Sequence, residues 1–98
     1  MKQDAGEVTV TNNEAESRFE VGSDGPSAVL EYELSGNELF LTHTEVAPEL
    51  EGQGLGAKLA RAALEFARER GLGVVPSCTF VAAYIERHPE YRPLVCGE

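Results

Sequence analysis

Pro48-Glu49-Leu50-Glu51-Gly52-Gln53-Gly54-Leu55-Gly56, followed by an unbroken helical run to Gly71, is the stretch whose reading decides the fold. Glycine alternates at 52, 54 and 56 and opens directly into the helix. Glycine at this density reaches positive φ and lets the backbone approach a ligand closely. The first N–H groups of a helix have no intrahelical partners. No Ser, Thr, Asp or Asn stands at 52–56 to cap them. A mouth of that kind, with the helix dipole behind it, suits an anion, phosphate above all. Two familiar nucleotide strings are not matched: GxxxxGK[ST] does not occur, and the spacing is GxGxG rather than GxGxxG. Taken alone, the loop reads equally as a glycine-rich turn that merely enters a helix.

The helix is well specified. Leu55, Leu59, Ala63, Phe66 and Ala67 form one apolar stripe. Lys58, Arg61, Glu65, Arg68 and Glu69 lie mostly off it. Arg68 and Arg70 suit the negative end of the dipole, and Gly71 suits a left-handed stop. Gly54 to Arg70 spans about 25 Å as a helix.

Upstream, the chain reads as an antiparallel meander. Val8 to Thr11 is expected as an edge strand, residues 12 to 17 as a turn or single helical turn, and Arg18 to Val21 as a strand. Ser23-Asp24-Gly25-Pro26 is turn chemistry. In Ala28 to Leu34, Ala28, Leu30, Tyr32 and Leu34 are expected on one face, and Val29, Glu31 and Glu33 on the other. Ser35-Gly36-Asn37 is a hairpin-length connection. Leu39 to Val46 has apolar or β-branched residues on both faces, as a central strand would.

Downstream, Gly73-Val74-Val75 is a short buried strand ended by Pro76. Strand, long helix, strand is a crossover, which makes these two strands parallel neighbours. Ser77 or Thr79 is the expected cap of a second helix, Thr79 to Arg87, with Phe80, Ala83, Tyr84 and Arg87 along one side and Pro89 ending it. Tyr91 and Leu94 are anchors for the tail. The sum is an α+β domain with a mixed, mostly antiparallel sheet, one long helix and one shorter C-terminal helix. The 98 residues are read as a single domain.

The formal net charge is −9, and it is unevenly spread. Residues 1–51 carry 12 acids and 2 bases, residues 52–98 carry 5 acids and 6 bases. The acidic half argues against nucleic acid, while the bases cluster beside or after the glycine loop. No apolar run approaches the length of a membrane span, and Met1 to Glu7 has no apolar signal core. The expectation is therefore a cytoplasmic protein without membrane or nucleic-acid partners. Two cysteines, Cys78 and Cys96, are too few for a disulfide framework, and no CxxC or HxxxH spacing suggests a metal.

A strand ending Val46-Ala47-Pro48, the 52–56 glycine loop, a long helix, a short strand and a tyrosine-bearing helix together resemble the GNAT superfamily of N-acetyltransferases. His43-Thr44-Glu45-Val46, Pro76-Ser77-Cys78 and His88-Pro89-Glu90-Tyr91 are similar to its short, single-domain branch. The likeness covers roughly residues 17 to 95.

The resemblance implies acetyl-CoA as cofactor and a primary amine as acceptor. The family loop maps onto Glu51, Gly52, Gln53, Gly54, Leu55 and Gly56, with amides through Ala57 cradling the pyrophosphate. Lys58 and Arg61 are further phosphate candidates, and Arg87, His88, Tyr91 and Arg92 are candidates to flank the adenine and 3′-phosphate. Pantetheine is expected against the backbone of about Thr44 to Ala47, including Val46, where the sheet splays. Glu51 departs from the family's Arg or Gln; it is unfavourable beside pyrophosphate unless it faces solvent or pairs with Lys58 or Arg92. The family's two helices between the first strands are replaced by about six residues, which leaves the acceptor side open. That favours an exposed amine, such as a lysine on a peptide or protein, in a monomer or weak homodimer.

Four residues are candidates for the chemistry. Cys78, at a helix start, is a stabilised thiolate or a small apolar packer. His43 shares strand parity with Leu39 and Leu41, so it is a core histidine or a general base. Glu45 is the rival base or a solvated acid. Tyr84 matches the spacing of the family's YxxxGF tyrosine, a general acid toward the departing thiolate, or it simply packs. Two other classes stay open: a coenzyme A or acyl-CoA binding module without turnover, and an interaction protein whose loop is empty.

Overall fold

The computed structural model describes residues 9–22 and 27–96. Five strands form one sheet in sequence order: β1 (Thr11–Asn13), β2 (Arg18–Val21), β3 (Ala28–Ser35), β4 (Glu38–Val46) and β5 (Gly73–Pro76). The first four are antiparallel neighbours, and β5 pairs parallel to β4. The crossover between β4 and β5 carries α1 (Leu55–Arg70), and α2 (Thr79–Arg87) follows β5. This is the expected α+β arrangement.

Helix α1 lies on the sheet through Leu55, Gly56, Leu59, Ala60, Ala63, Leu64 and Ala67, all buried. Three alanines on that face bring the helix axis close to the strands. The sheet answers with Phe19, Ala28, Leu30, Tyr32, Leu39, Leu41 and Val74. Phe66 is half-buried and packs on Phe19 and Tyr32, with ring centroids 5.7 and 6.4 Å apart. Gly71 closes the helix at φ 67°, its N–H returning to the Ala67 and Arg68 carbonyls. From α2, Val81 and Ile85 enter the core, while Phe80 and Arg87 face away from it. The tail is more than two anchors: a 3-10 segment, Pro89–Leu94, brings Val95 beside Val74 in a single parallel bridge.

Several expectations change. The first strand is Thr11–Asn13 rather than one ending at Thr11, and Val8 lies outside the described residues, as does the turn at 23–26. Leu34 is 52% exposed. Strand β2 pairs with β3 only as far as Glu31, so Leu34 stands at an uncovered corner of the sheet. Neither Ser77 nor Thr79 caps α2; Cys78 occupies the N-cap position.

The largest change is a bulge. Glu31 pairs with His43 but Tyr32 pairs with Leu41, which leaves Thr42 unpartnered, its hydroxyl donating to the Glu31 carbonyl at 3.2 Å. An extra residue on one strand reverses which face later side chains take. Leu39 and Leu41 face α1; beyond the bulge Thr44 and Val46 do so instead, opposite Leu30 and Ala28. His43 is thereby turned out of the core to the other face.

Leu59→Ala removes a fully buried side chain and is expected to cost about 2–5 kcal/mol. Gly71→Ala forces a left-handed conformation on a residue with a Cβ and is expected to cost about 1 kcal/mol. Urea unfolding followed by circular dichroism checks both values and their order.

Candidate active site

The site forms where β4 loses its parallel partner. Strand β5 pairs with Glu38 to Leu41 and stops at Pro76. The Cys78 amide makes the last link, donating to the Leu41 carbonyl at 2.9 Å. Beyond it, among the described residues, no strand follows that edge of β4. The gap opens into a cleft of about 480 Å³, lined on one side by Thr44 and Val46 and on the other by Phe80 and Arg87. Leu50, Glu51, Gly52, Gly54, Leu55, Gly56 and Ala57 form its end wall.

That wall is mostly backbone. Gly52 and Gly54 stand at φ 89° and 79°, and a Cβ on either would meet nothing within 4 Å. Their glycine requirement is thus conformational, not steric. Helix α1 starts at Gly54 without a side-chain cap. The Lys58 amide is the first to close a helical turn, onto the Gly54 carbonyl at 3.1 Å. The amides of 52–57 therefore converge on the cleft without a protein acceptor. Gly56 differs: a Cβ there would lie 2.8 Å from the Phe80 ring, so only glycine admits that ring over the helix mouth. Phe80 is 42% exposed and stands in the cleft. It and Leu50 are wall residues that sequence reasoning did not assign. The available signal was the seven-residue spacing of Phe80 and Arg87, which places both on one helix face.

Thr44 and Cys78 meet in this region, hydroxyl and sulfur 3.3 Å apart. Burial pushes the Cys78 thiol pKa up. The Thr44 hydroxyl and the amides of Val81 and Phe80 at the start of α2 stabilise the thiolate more, and the net shift is downward. His43 and Glu45 lie on the opposite face of β4, both exposed, with Nε2 and Oε1 3.9 Å apart. Glu45 borders a separate hollow of about 350 Å³ on that face, with Arg18, Ser27, Val29, Glu31 and Pro48. Glu51 is exposed, and among the described residues neither Lys58 nor Arg92 pairs with it. Gln53 and Lys58 contribute no side chain to the cleft wall.

The residues expected at the nucleotide end are divided. Arg87 lines the cleft. His88, Tyr84 and Tyr91 line a neighbouring hollow of about 490 Å³ between α1 and α2, together with Arg61, Glu65, Arg68 and Glu90. Tyr91 is buried and donates to Glu65 at 2.6 Å; burial and that carboxylate push its hydroxyl pKa up to about 12. It braces the hollow from beneath. Arg92 lies across α2, against Pro76 and Ile85.

Because Cys78 titrates below the ordinary thiol value, its alkylation by iodoacetamide is expected to persist at pH values where an ordinary thiol is protonated. Thr44→Val removes the hydroxyl and is expected to move that pH profile upward. Mass-resolved alkylation rates on both proteins, with Cys96 as internal reference, check the sign.

A family model of GCN5-related N-acetyltransferases matches residues 18–94. Mouse protein NATD1 is 32% identical over 90 residues, covering 89% of this chain and 82% of that one. A GCN5-like protein from Staphylococcus aureus, solved by NMR, superposes with a TM-score of 0.73 at 33% identity, over 92% of this chain and 89% of its own. The streptothricin acetyltransferase of Streptomyces lavendulae is 40% identical over 73 residues, but this chain spans only 39% of its length. The fold, the glycine-walled cleft and these matches agree: the chain belongs to the GCN5-related N-acetyltransferase family.

Proposed function

We propose that the chain is an acetyl-CoA-dependent N-acetyltransferase, acting in the cytoplasm on a primary amine such as a lysine on an exposed peptide or protein. The observation that carries this reading is the cleft at the β4–β5 gap, walled by unclaimed amides of 52–57. A diphosphate needs donors and positive potential, and a helix mouth free of side-chain caps supplies both. The free edge of β4 at Thr44 to Val46 suits the amide-bearing pantetheine arm, which would pair with it as an added strand does. When bound, acetyl-CoA supplies an activated acyl group.

The chain's own residues then have separable tasks. Cys78 and Thr44 stand on the helix side of the gap. The Cys78 thiolate attacks the thioester carbonyl; the carbon–sulfur bond to coenzyme A breaks, and the coenzyme leaves as thiolate. The acceptor amine then attacks the acetyl-cysteine and regenerates the thiolate. His43 and Glu45 face the other side of the gap, from which an amine would arrive. Either can take the proton that the amine loses on acylation. Only four residues, Glu14–Ser17, join β1 to β2, so nothing there encloses the acceptor. That openness favours an amine on a larger molecule. Tyr84 has no side chain in the cleft wall, which leaves the departing thiolate to be stabilised by other groups.

Glu51 favours a second reading, a coenzyme A-binding module without turnover. A carboxylate beside the diphosphate opposes binding but leaves the backbone donors in place.

Incubation with acetyl-CoA, followed by intact-mass measurement and thiol release against an amine panel, separates the readings. Acetyl transfer, with an acetyl adduct that disappears in Cys78→Ala, is expected. Thermal stabilisation by coenzyme A without transfer selects the module, and no stabilisation at all removes both. Glu51→Arg is expected to tighten coenzyme A binding up to about fivefold, less at high salt, as an exposed charge reversal should. Calorimetric titration at two ionic strengths measures it.

A further inference from the structure

Helices α1 and α2 leave between them a hollow of about 490 Å³, separate from the cleft. Its α2 side is a ladder of rings. His88 stacks on Tyr84 with centroids 4.0 Å apart and planes 20° from parallel, and Tyr91 continues the ladder 6.3 Å beyond Tyr84. His88 Nδ1 is fixed by the Tyr84 carbonyl at 2.9 Å, which holds the imidazole flat against the phenol. Among the described residues no aromatic ring covers the outer face of His88. A flat, pre-ordered π surface open on one side is what a purine stacks on.

The α1 side carries two guanidinium groups with different engagements. Arg68 is committed: it lies 5.2 Å over the Tyr91 ring and 3.5 Å from Glu65. Glu65 itself takes the Tyr91 hydroxyl. Arg61 is exposed, and no carboxylate among the described residues lies within ion-pair distance of it. Its positive charge acts on the Tyr84 hydroxyl, opposing the upward push of burial. Glu90 is the one lining carboxylate with no partner among the described residues. Arg61 stands one helical turn past Ala57, the last residue of the cleft wall on α1, so about 6 Å further along the axis. A group bound at the helix mouth would reach it across a single ribose.

We propose that this hollow reads the 3′-phosphoadenosine end of coenzyme A, with His88 and Tyr84 as the stacking surface and Arg61 as the residue that distinguishes the cofactor from its 3′-dephospho form. The inference rests on the acetyl-CoA reading above and assigns a task to Tyr84 that is binding, not acid catalysis. Arg61 offers a fork of N–H donors to a phosphate dianion, which a deprotonated neighbour such as Glu90 opposes only through solvent.

The test is calorimetric titration of coenzyme A and 3′-dephospho-coenzyme A into the wild type, Arg61→Ala and Arg70→Ala. Arg61 is a surface residue, so its removal leaves the core intact, and circular dichroism checks this. The wild type is expected to bind coenzyme A about tenfold more tightly than the dephospho form. Arg61→Ala is expected to erase that preference by weakening coenzyme A alone, whereas Arg70→Ala keeps it. Equal wild-type affinity for the two ligands overturns the proposal while leaving the acetyl-CoA reading intact, as does an Arg61→Ala variant that weakens both equally or neither. Failure of the wild type to bind either ligand overturns the proposal and the acetyl-CoA reading together.

Discussion

The structure turns on a missing donor. Pro76 is the last residue of β5 and faces Leu41 in the ladder. Proline has no N–H to extend a sheet and holds φ near −65°. The chain turns at once, Ser77 donating to the Val75 carbonyl at 3.0 Å, and Cys78 then caps the pairing by donating to Leu41. From that point β4 runs on alone along one edge. Because α2 must begin where β5 ends, its first turn becomes the far wall of the gap, and Cys78, Phe80 and Arg87 are carried to it. The helix mouth of α1 lies at the same place because the short connection after β4, residues 47–54, gives it nowhere else to start. Two sets of backbone groups without partners, one from a strand and one from a helix, thus share one cleft.

Local signals made much of this legible. The glycine spacing, the apolar stripe of α1, the crossover and the ending at Pro76 are statements about neighbours in sequence, and each placed its element correctly. What failed was decided by partners distant in sequence. The parity of His43 was counted along β4 as if every residue paired. The bulge at Thr42 arises from the register against β3, which no feature of residues 39–46 announces. One unpaired residue moved His43 and Glu45 to one face and Thr44 and Val46 to the other. Leu34 was misjudged for a related reason: its exposure depends on where β2 stops, not on β3. Cys78 displaced Ser77 and Thr79 as the start of α2 because its amide is tied to Leu41, a tertiary contact that overrides capping preference. The division of the nucleotide-end candidates between two hollows required the angle between α1 and α2.

The uneven charge along the chain becomes a difference between faces. On the sheet face away from α1, Glu20, Glu31 and Glu45 accompany Arg18. Glu20 absorbs that arginine: the guanidinium and the Asn13 amide hold its carboxyl below the usual range. The helix face carries Arg61, Arg68, Arg70 and Arg87. A gap through the sheet joins a predominantly acidic face to a cationic one. Under the proposed reading this sorts the two substrates by charge, the anionic cofactor on one side and a cationic amine on the other. Glu51 sits on the wrong side of that division, which identifies it as a brake on cofactor affinity rather than part of the design of the mouth.

The small size of the chain sharpens the role of each aromatic residue. A domain of this length buries a modest core, and here Leu59, Leu64, Val74 and Val81 fill it completely, with no exposure above 2%. Phe80 is left outside that core although it is as apolar as anything within it. It is held over Gly56, whose missing Cβ makes the room. Burying Phe80 would have closed the cleft against α1; exposing it costs hydrophobic burial but keeps the wall on the far side of the gap. The same economy applies to Tyr84 and His88. They stack on each other instead of entering the core, and in doing so carry a rigid surface from the end of the cleft to the hollow beside Arg61. In a fold with no residues to spare for a second layer, the side chains that the core leaves out are the ones that define where a ligand can lie.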